Sequence, residues 1–549
     1  MIYDVIIVGS GISGLMAAIE AKTSTNKVAI ITKTNIFKSN SSMACGGINA
    51  VLNENDSEKI QSHIDDTYIS SKYLANLENI TYMCKRANKI ISKLESYGVD
   101  FDKDKNGNIL QRPFGGGKQN RTCYVKDKTG SAITQALIKK AKQIGITFLV
   151  NTFVLNLATH KNRISGVIAL RKIDSNVLVY PAKAVVLAGG GYAGIFRGNS
   201  TNAQDYTGDL IAVCLRAKLA LKDMEFIQFH PTGIAKTNYL VTEAARAEGG
   251  YLINEDNERF VNELETRDKL AKAIVEQQQK NKKVYIDLRH LGIEKIQKKL
   301  PSLYNAAFNQ VGVDISKELL QIKPVAHYSM GGVEVTNMVE SKIKGLFICG
   351  EMANTRIHGA NRLGGNSLLE STVFGELAGQ KALTYSLDNN FEVINYNSVI
   401  QDIQMIDYIF SSDSSKNFNA IRISLGNCMY ENVGIIRDEV SLIKAFDYIK
   451  YLRTQSYSLH CINKERTNNV ELSSILELRN ALEISEAIIL SANLRKESRG
   501  AHFRKDFPIL DEKYNKHILI REFQKGFFKL EFEQDSFLLK IRNLIINKK

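Results

Sequence analysis

Three shortages bound what this 549-residue chain can be. No apolar run approaches the roughly 18 residues that a membrane-spanning helix needs, which argues against a spanning segment. The seven cysteines (Cys45, Cys84, Cys123, Cys214, Cys349, Cys428 and Cys461) are dispersed, with no CxxC or other metal-ligand spacing. An odd, scattered set reads as reduced thiols rather than a disulfide framework. It also argues against a metal site or an iron–sulfur cluster held by this chain. Only six prolines occur, and no low-complexity tract, repeat or flexible linker is visible. The first strand-like run begins within five residues of Met1. That leaves no room for a signal peptide, so the expected location is the cytoplasm.

What is present fits a soluble globular protein: 44% of residues are apolar and 24% charged. The length suggests two to four domains. A formal net charge of +14 comes largely from Lys spread along the chain. Without a block of like charge or a recognisable module, this is a solvated surface and not a nucleic-acid face. Its positive field would still favour small dianionic substrates.

Val5-Ile6-Ile7-Val8 reads as a buried strand, and Gly9-Ser10-Gly11-Ile12-Ser13-Gly14 follows directly, leading into a helix from Leu15 to Ala21. This context lets a glycine turn and a helix N-terminus meet a pyrophosphate. A second strand, Val28 to Ile31, ends in Thr32-Lys33, where an NAD-type fold usually places an acidic residue for the ribose. That counts against NAD as the cofactor. Much later, Leu346-Phe347-Ile348-Cys349 reads as a strand ending in Gly350-Glu351, and His358-Gly359-Ala360-Asn361-Arg362-Leu363-Gly364-Gly365-Asn366-Ser367-Leu368 follows. A Gly- and Asn-rich loop lets backbone approach a ligand. An Arg within it can grip a carboxylate through two parallel hydrogen bonds.

This last stretch resembles the C-terminal flavin- and dicarboxylate-binding segment of the succinate dehydrogenase / fumarate reductase flavoprotein family, which also contains L-aspartate oxidase. Other runs agree in order: Met224 to Gly233, Thr242 to Arg246, Thr266-Arg267-Asp268 and Pro324 to Gly332. The resemblance covers nearly the whole chain. It implies an α/β fold with a Rossmann-like FAD-binding domain, an inserted α+β capping domain and a C-terminal helical domain. The expected limits are 1–231 and 329–385 for the FAD-binding domain, 232–328 for the cap, 395–505 for the helical domain and 506–549 for a tail. Ile475 to Leu494 has the three- and four-residue apolar spacing of a packed helix. Phe523, Phe527, Phe528, Phe532 and Phe537 lie among charges in the tail, which is expected to be a docking segment or a terminal helix.

By the same resemblance, His230, Thr242, His327 and Arg362 bind the two carboxylates of fumarate or succinate, and the activity is their interconversion by hydride transfer from FAD. Arg267 is the implied proton donor, re-supplied through Glu243 from Arg246. Glu243 and Arg246 are three apart, so on a helix they share a face. Arginine is a poor acid, with a pKa above about 12, and can serve only as a relay. The implied flavin contacts are Gly9, Ser10, Gly11, Ser13, Gly14, Thr32, Lys33, Ser39, Asn40, Ser41, Gly46, Gly47, Ala188, Gly189, Gly190, Asp209, Glu351 and Arg362, with Asn366, Ser367 and Leu368 opening a helix toward the ring. No metal is expected.

Two positions separate the branches of the family. L-aspartate oxidase places a Glu before a Gly-Gly pair in the substrate loop, to meet an ammonium group; here Phe114 precedes Gly115-Gly116. A plain dicarboxylate is expected, with L-aspartate oxidation, a step in NAD biosynthesis, as the alternative. Members that attach FAD covalently use a histidine shortly before a Gly-Gly pair. The matching position before Gly46-Gly47 is Asn40, and no histidine precedes His63. Non-covalent FAD is expected, with the balance toward fumarate reduction. The implied partners are an iron–sulfur subunit and a membrane quinone-reactive subunit. Those partners would place the chain at the inner face of a membrane.

Overall fold

The computed structural model describes residues 2–533 apart from 412, 414, 415, 525 and 526. Its largest sheet has seven strands, with Tyr3–Val8 near the centre between Val28–Ile31 and Asn176–Leu187, all three parallel. Thr147–Leu149 and Leu346–Ile348 add further parallel strands. Arg163–Arg171 and Thr152–His160 continue the sheet as an antiparallel meander. Helices cover the sheet, so its central strands are apolar almost throughout rather than alternating. Helix Ile12–Ala21 packs along the long helix Asn366–Asp388. Gly9 has φ +117°, and a Cβ there would sit 2.2 Å from the Ala188 carbonyl oxygen. Only glycine lets the ends of these two strands meet.

Inserted into this unit is a four-stranded antiparallel sheet in the order Ile227–Ile234, Leu320–Ser329, Val284–Asp287, Tyr251–Asn254. Helices Glu243–Ala247, Arg267–Gln279, Ile293–Lys299 and Pro301–Val311 accompany it, with a small core of their own. Its two outer connections are continuous strands: Ile227–Ile234 begins before residue 232 and Leu320–Ser329 ends after 328. Four long helices follow: Tyr396–Ser411, Phe418–Val433, Glu439–Tyr457 and Val470–Leu494. The last begins at Asn469, whose side chain accepts from the Leu472 N–H at 3.0 Å.

The stretch after that helix ties the helical region to the turn that leads into the strand Ile227–Ile234, which carries His230. Arg495 Nε donates to Glu225 Oε1 at 2.6 Å, and Arg499 Nε to Glu497 Oε1 at 2.7 Å, all four side chains fully buried.

The tail is neither a helix nor a free docking segment within its described part. Ile518–Gln524 and Phe527–Phe532 form an antiparallel hairpin. The hairpin joins Leu221–Lys222, Gly332–Glu334 and Ala353–Asn354 in a five-stranded sheet. Ile518, Leu519 and Ile520 are buried by that pairing, which connects residues about 300 apart. Phe537 lies outside the described residues. Among the described residues, no helix is long and apolar enough to cross a membrane.

Candidate active site

A cavity of about 580 Å³ runs along the C-terminal ends of the parallel strands. That is within the roughly 300–1,000 Å³ typical of small-molecule and cofactor sites. Its wall contains Gly9, Ser10, Gly11, Ser13, Thr32, Lys33, Asn40, Ser41, Ala188, Gly189, Gly190, Asp209, Glu351, Ser367 and Leu368. The helix Asn366–Asp388 starts at this wall, so its free N–H groups face the cavity. Lys33 Nζ is held by Asp209 Oδ2 at 2.7 Å and Glu477 Oε1 at 3.2 Å. Burial would lower its pKa, but these acids together with Asp205 raise it, so Lys33 is charged. Asp209 Oδ1 accepts from Asn480 at 2.9 Å and Thr207 at 3.1 Å, so its carboxylate is already engaged by the protein. Glu351 Oε1 accepts from the N–H and hydroxyl of Ser329 at 2.9 and 3.0 Å. Burial pushes its carboxyl up to about 7 despite those bonds.

Six of the residues expected around the flavin stand behind that wall. Gly14 packs on the Gly9 carbonyl, and Gly47, with φ +133°, on Cys123. Ser39 bonds within its own turn, accepting from the Ser42 N–H at 3.2 Å. Gly46 underlies the Phe114 ring. Asn366 sits in a buried network: its Oδ1 accepts from Asn49 at 2.8 Å and His63 Nε2 at 3.0 Å, and its Nδ2 donates to Thr67 at 2.9 Å. The sixth, Arg362, points into a second cluster.

That cluster is cationic and buried. Arg267, the first residue of its helix, donates from Nη2 and Nε to Glu243 Oε2 at 2.9 and 3.1 Å. Its Nη1 donates to Gln228 Oε1 at 3.0 Å, and Arg362 Nη2 reaches the same oxygen at 3.0 Å. Glu243 Oε1 accepts from the Gly115 N–H at 2.6 Å. Burial would raise the Glu243 pKa, but Arg267 and Arg246 overcome this and hold it below the usual range. Arg246 lies 4.0 Å from Glu243, on the same face of the short helix, an ion pair too long for a hydrogen bond. Its close bond instead runs from Nη1 to the Glu263 carbonyl at 2.5 Å, while Nε and Nη2 are buried without a hydrogen-bond partner among the described residues. Thr242 caps that helix, accepting from the Ala244 N–H at 3.4 Å.

His230 and His327 meet edge to face, with ring centroids 5.2 Å apart. Burial, then the Arg267 charge, holds both well below the ordinary histidine range, so both rings are neutral. His230 Nδ1 lies against Thr232, 3.2 Å from its carbonyl oxygen and 3.3 Å from its N–H and its hydroxyl. His327 owes its aim to a bulge. Gln228 pairs with Tyr328 and Phe229 with Ala326, leaving His327 unpaired between them. The Phe114 ring lies so close to Gly46 and Gly364 that a Cβ on either would come within 2.8 and 3.0 Å.

Residues 4–368 match the FAD binding domain family and residues 422–542 the fumarate reductase flavoprotein C-terminal family. An uncharacterised FAD-dependent oxidoreductase of Methanocaldococcus jannaschii is 37% identical over 544 residues, covering 96% of this chain and 98% of its own. The succinate dehydrogenase flavoprotein subunit of Coxiella burnetii is 35% identical, covering 93% and 92%. A solved structure of an Escherichia coli quinol fumarate reductase variant superposes with TM-score 0.93 at 32% identity, covering 97% of each chain. The chain belongs to the succinate dehydrogenase / fumarate reductase flavoprotein family.

Membership makes it an FAD-dependent oxidoreductase, and the cavity fits that group. The glycine turn and the helix beginning at Ile12 suit the pyrophosphate. The helix beginning at Asn366 suits the electron-rich end of the flavin ring. Two members of the buried cluster escaped the motif reading. Gln228 joins the two guanidiniums, and its place two residues before His230 in a strand was the available signal. Gly115 supplies the N–H to Glu243, a long-range contact with no local signature.

Proposed function

We propose that this protein interconverts fumarate and succinate, with His230, Thr242, His327 and Arg362 binding the carboxylates and Arg267 moving the proton. The observation that carries this reading is the buried file Arg267, Glu243, Arg246 beside Arg362, a guanidinium with no carboxylate of its own among the described residues. FAD bound in the cavity supplies the two-electron chemistry. Arg362 offers a planar fork to one carboxylate, and the neutral His230 ring offers an uncharged polar contact beside it. Arg267 gives a proton to the substrate carbon and is re-protonated through the ionised Glu243, which takes a proton from Arg246 and passes it on. Gln228 keeps Arg267 and Arg362 at a fixed separation by accepting from both.

Phe114 supports a substrate without an ammonium group, because a phenyl ring supplies no counter-charge in the substrate loop. FAD is held without a covalent bond in this reading. Asn40 stands at the attachment position, its Oδ1 accepting from the Ala203 N–H at 3.1 Å and its Nδ2 donating to Asn202, and asparagine has no ring nitrogen to attack the flavin. A non-covalent flavin favours the reductase direction. Electrons pass through a separate iron–sulfur subunit, with a membrane quinone-reactive subunit beyond it, which would hold the chain at the inner membrane face. The naming of relatives as flavoprotein subunits supports that arrangement. Steady-state turnover with fumarate, succinate and L-aspartate, using artificial electron carriers, tests the reading. Fumarate and succinate are expected as substrates, and efficient oxidation of L-aspartate would overturn it.

A further inference from the structure

Among the described residues Arg362 is a buried cation without a counter-ion: Nη2 donates to the neutral Gln228 at 3.0 Å, Nε is buried with no hydrogen-bond partner, and no carboxylate lies within the 4.0 Å of an ion pair. Its neighbour Arg267, by contrast, has Glu243 at 2.9 Å. An unpaired buried charge is strongly destabilising unless something else favours it. The group laid against Arg362 is the ring of Tyr328, with the guanidinium carbon 4.2 Å from the ring centroid. Behind that ring the Tyr328 hydroxyl donates to Glu370 Oε2 at 2.6 Å. Glu370 also accepts from His358 Nε2 at 3.0 Å and the Thr355 hydroxyl at 2.9 Å, and all these side chains are buried.

We propose that Tyr328, backed by Glu370, is a positioning residue that holds Arg362 charged and in place while leaving its hydrogen-bonding edge free for a substrate carboxylate. A carboxylate in the ring's position would neutralise Arg362 but would occupy the edge that the substrate needs. An aromatic ring meets the face of the cation instead. The short, charge-assisted bond to Glu370 draws the phenol proton away and makes the ring more electron-rich. Arg362 thus feels a negative charge it does not touch. The bulge that frees His327 also sets Tyr328 beside it on the cavity wall, so one backbone irregularity supplies both groups.

The inference rests on reading Arg362 as a carboxylate clamp, and the test separates the two. In the FAD-loaded protein, Tyr328→Leu should raise KM for fumarate and the dissociation constant of malonate, followed by flavin absorbance, about tenfold to thirtyfold. The fall in kcat should be smaller than the rise in KM. Tyr328→Phe keeps the ring and should return both constants to within about threefold of wild type. Wild-type constants in Tyr328→Leu, or equal impairment in Tyr328→Phe and Tyr328→Leu, would overturn the proposal. If Tyr328→Leu does not fold or hold FAD, Tyr328→Met, which fills more of the ring's volume without its π face, takes its place with the same two outcomes. Arg362→Ala is the control. Unchanged KM in Arg362→Ala sinks the clamp itself, whereas a raised KM there with none in Tyr328→Leu sinks only the role of Tyr328.

Discussion

Replacing Gly115 by alanine adds one methyl group at the point where the substrate loop touches the proton relay. The new Cβ would lie 2.9 Å from Glu243 Oε1, 3.0 Å from the Glu265 carbonyl oxygen and 3.2 Å from that of Leu264. Two of these neighbours are backbone atoms that cannot rotate away, so the loop or the Glu243 side chain must shift by several tenths of an ångström. The 2.6 Å bond from the Gly115 N–H to Glu243 is then stretched or lost. A hydrogen bond to a charged group is worth about 1.5–3 kcal/mol. If that loss appears in the step that uses Glu243, turnover falls about tenfold to a hundredfold. A second consequence follows from sign. The N–H stabilises the ionised carboxylate, so losing it raises the Glu243 pKa, and the acid limb of the pH–kcat profile should move to higher pH. The assay is fumarate reduction by the Gly115→Ala protein with a reduced viologen, after confirming normal FAD content and malonate affinity. A kcat within twofold of wild type, with an unmoved acid limb, would refute the role given to this contact.

Precipitating the protein in acid should leave a yellow supernatant, since Asn40 cannot bond to the flavin; fluorescence retained by the denatured chain on a gel would contradict this. Glu351→Gln should change how stability depends on pH in the apoprotein. The Glu351 pKa rises on folding from 4.5 to about 7, so the native state keeps its proton longer than the unfolded chain does. Wild type therefore loses stability relative to Glu351→Gln as pH rises through that window, by up to about 3 kcal/mol. Parallel denaturant midpoints for the two proteins across the window would contradict it. Gln228→Leu removes the oxygen shared by Arg267 and Arg362 and should lower kcat/KM for fumarate about tenfold or more, each guanidinium losing a hydrogen bond worth about 1.5–3 kcal/mol. A value within twofold of wild type would remove Gln228 from the site.

The parts of this architecture that show in the sequence are those built from local order. Val5 to Ala21 is a strand, turn and helix within seventeen residues, each signalled by its own residue types. The long run 358–368 likewise carries its glycines, asparagines and arginine together. What stayed hidden depends on pairing across the chain. His327 is aimed by a bulge defined against a strand about 100 residues earlier. Asp209 resembles a cofactor contact and lines the cavity, but its pairing with Lys33, completed by Glu477 from the distant helix Val470–Leu494, has no local signature. The tail's aromatics among charges suggested a helix or a docking segment. Their strand character is decided by Leu221–Lys222, whose open edge receives Ile518–Gln524. The relay shows both sides: Glu243 and Arg246 could be matched by spacing, but the 2.5 Å bond of Arg246 to the Glu263 carbonyl could not be foreseen from it.

Arg267 is the residue on which the proposed chemistry turns, and Arg267→Ala tests it most directly. The variant should keep FAD and bind malonate, because Arg362, His230 and His327 remain. Its fumarate reduction should fall by about 10²- to 10⁴-fold, the contribution of an aligned general acid. Turnover close to wild type in a protein with full FAD content would contradict the account.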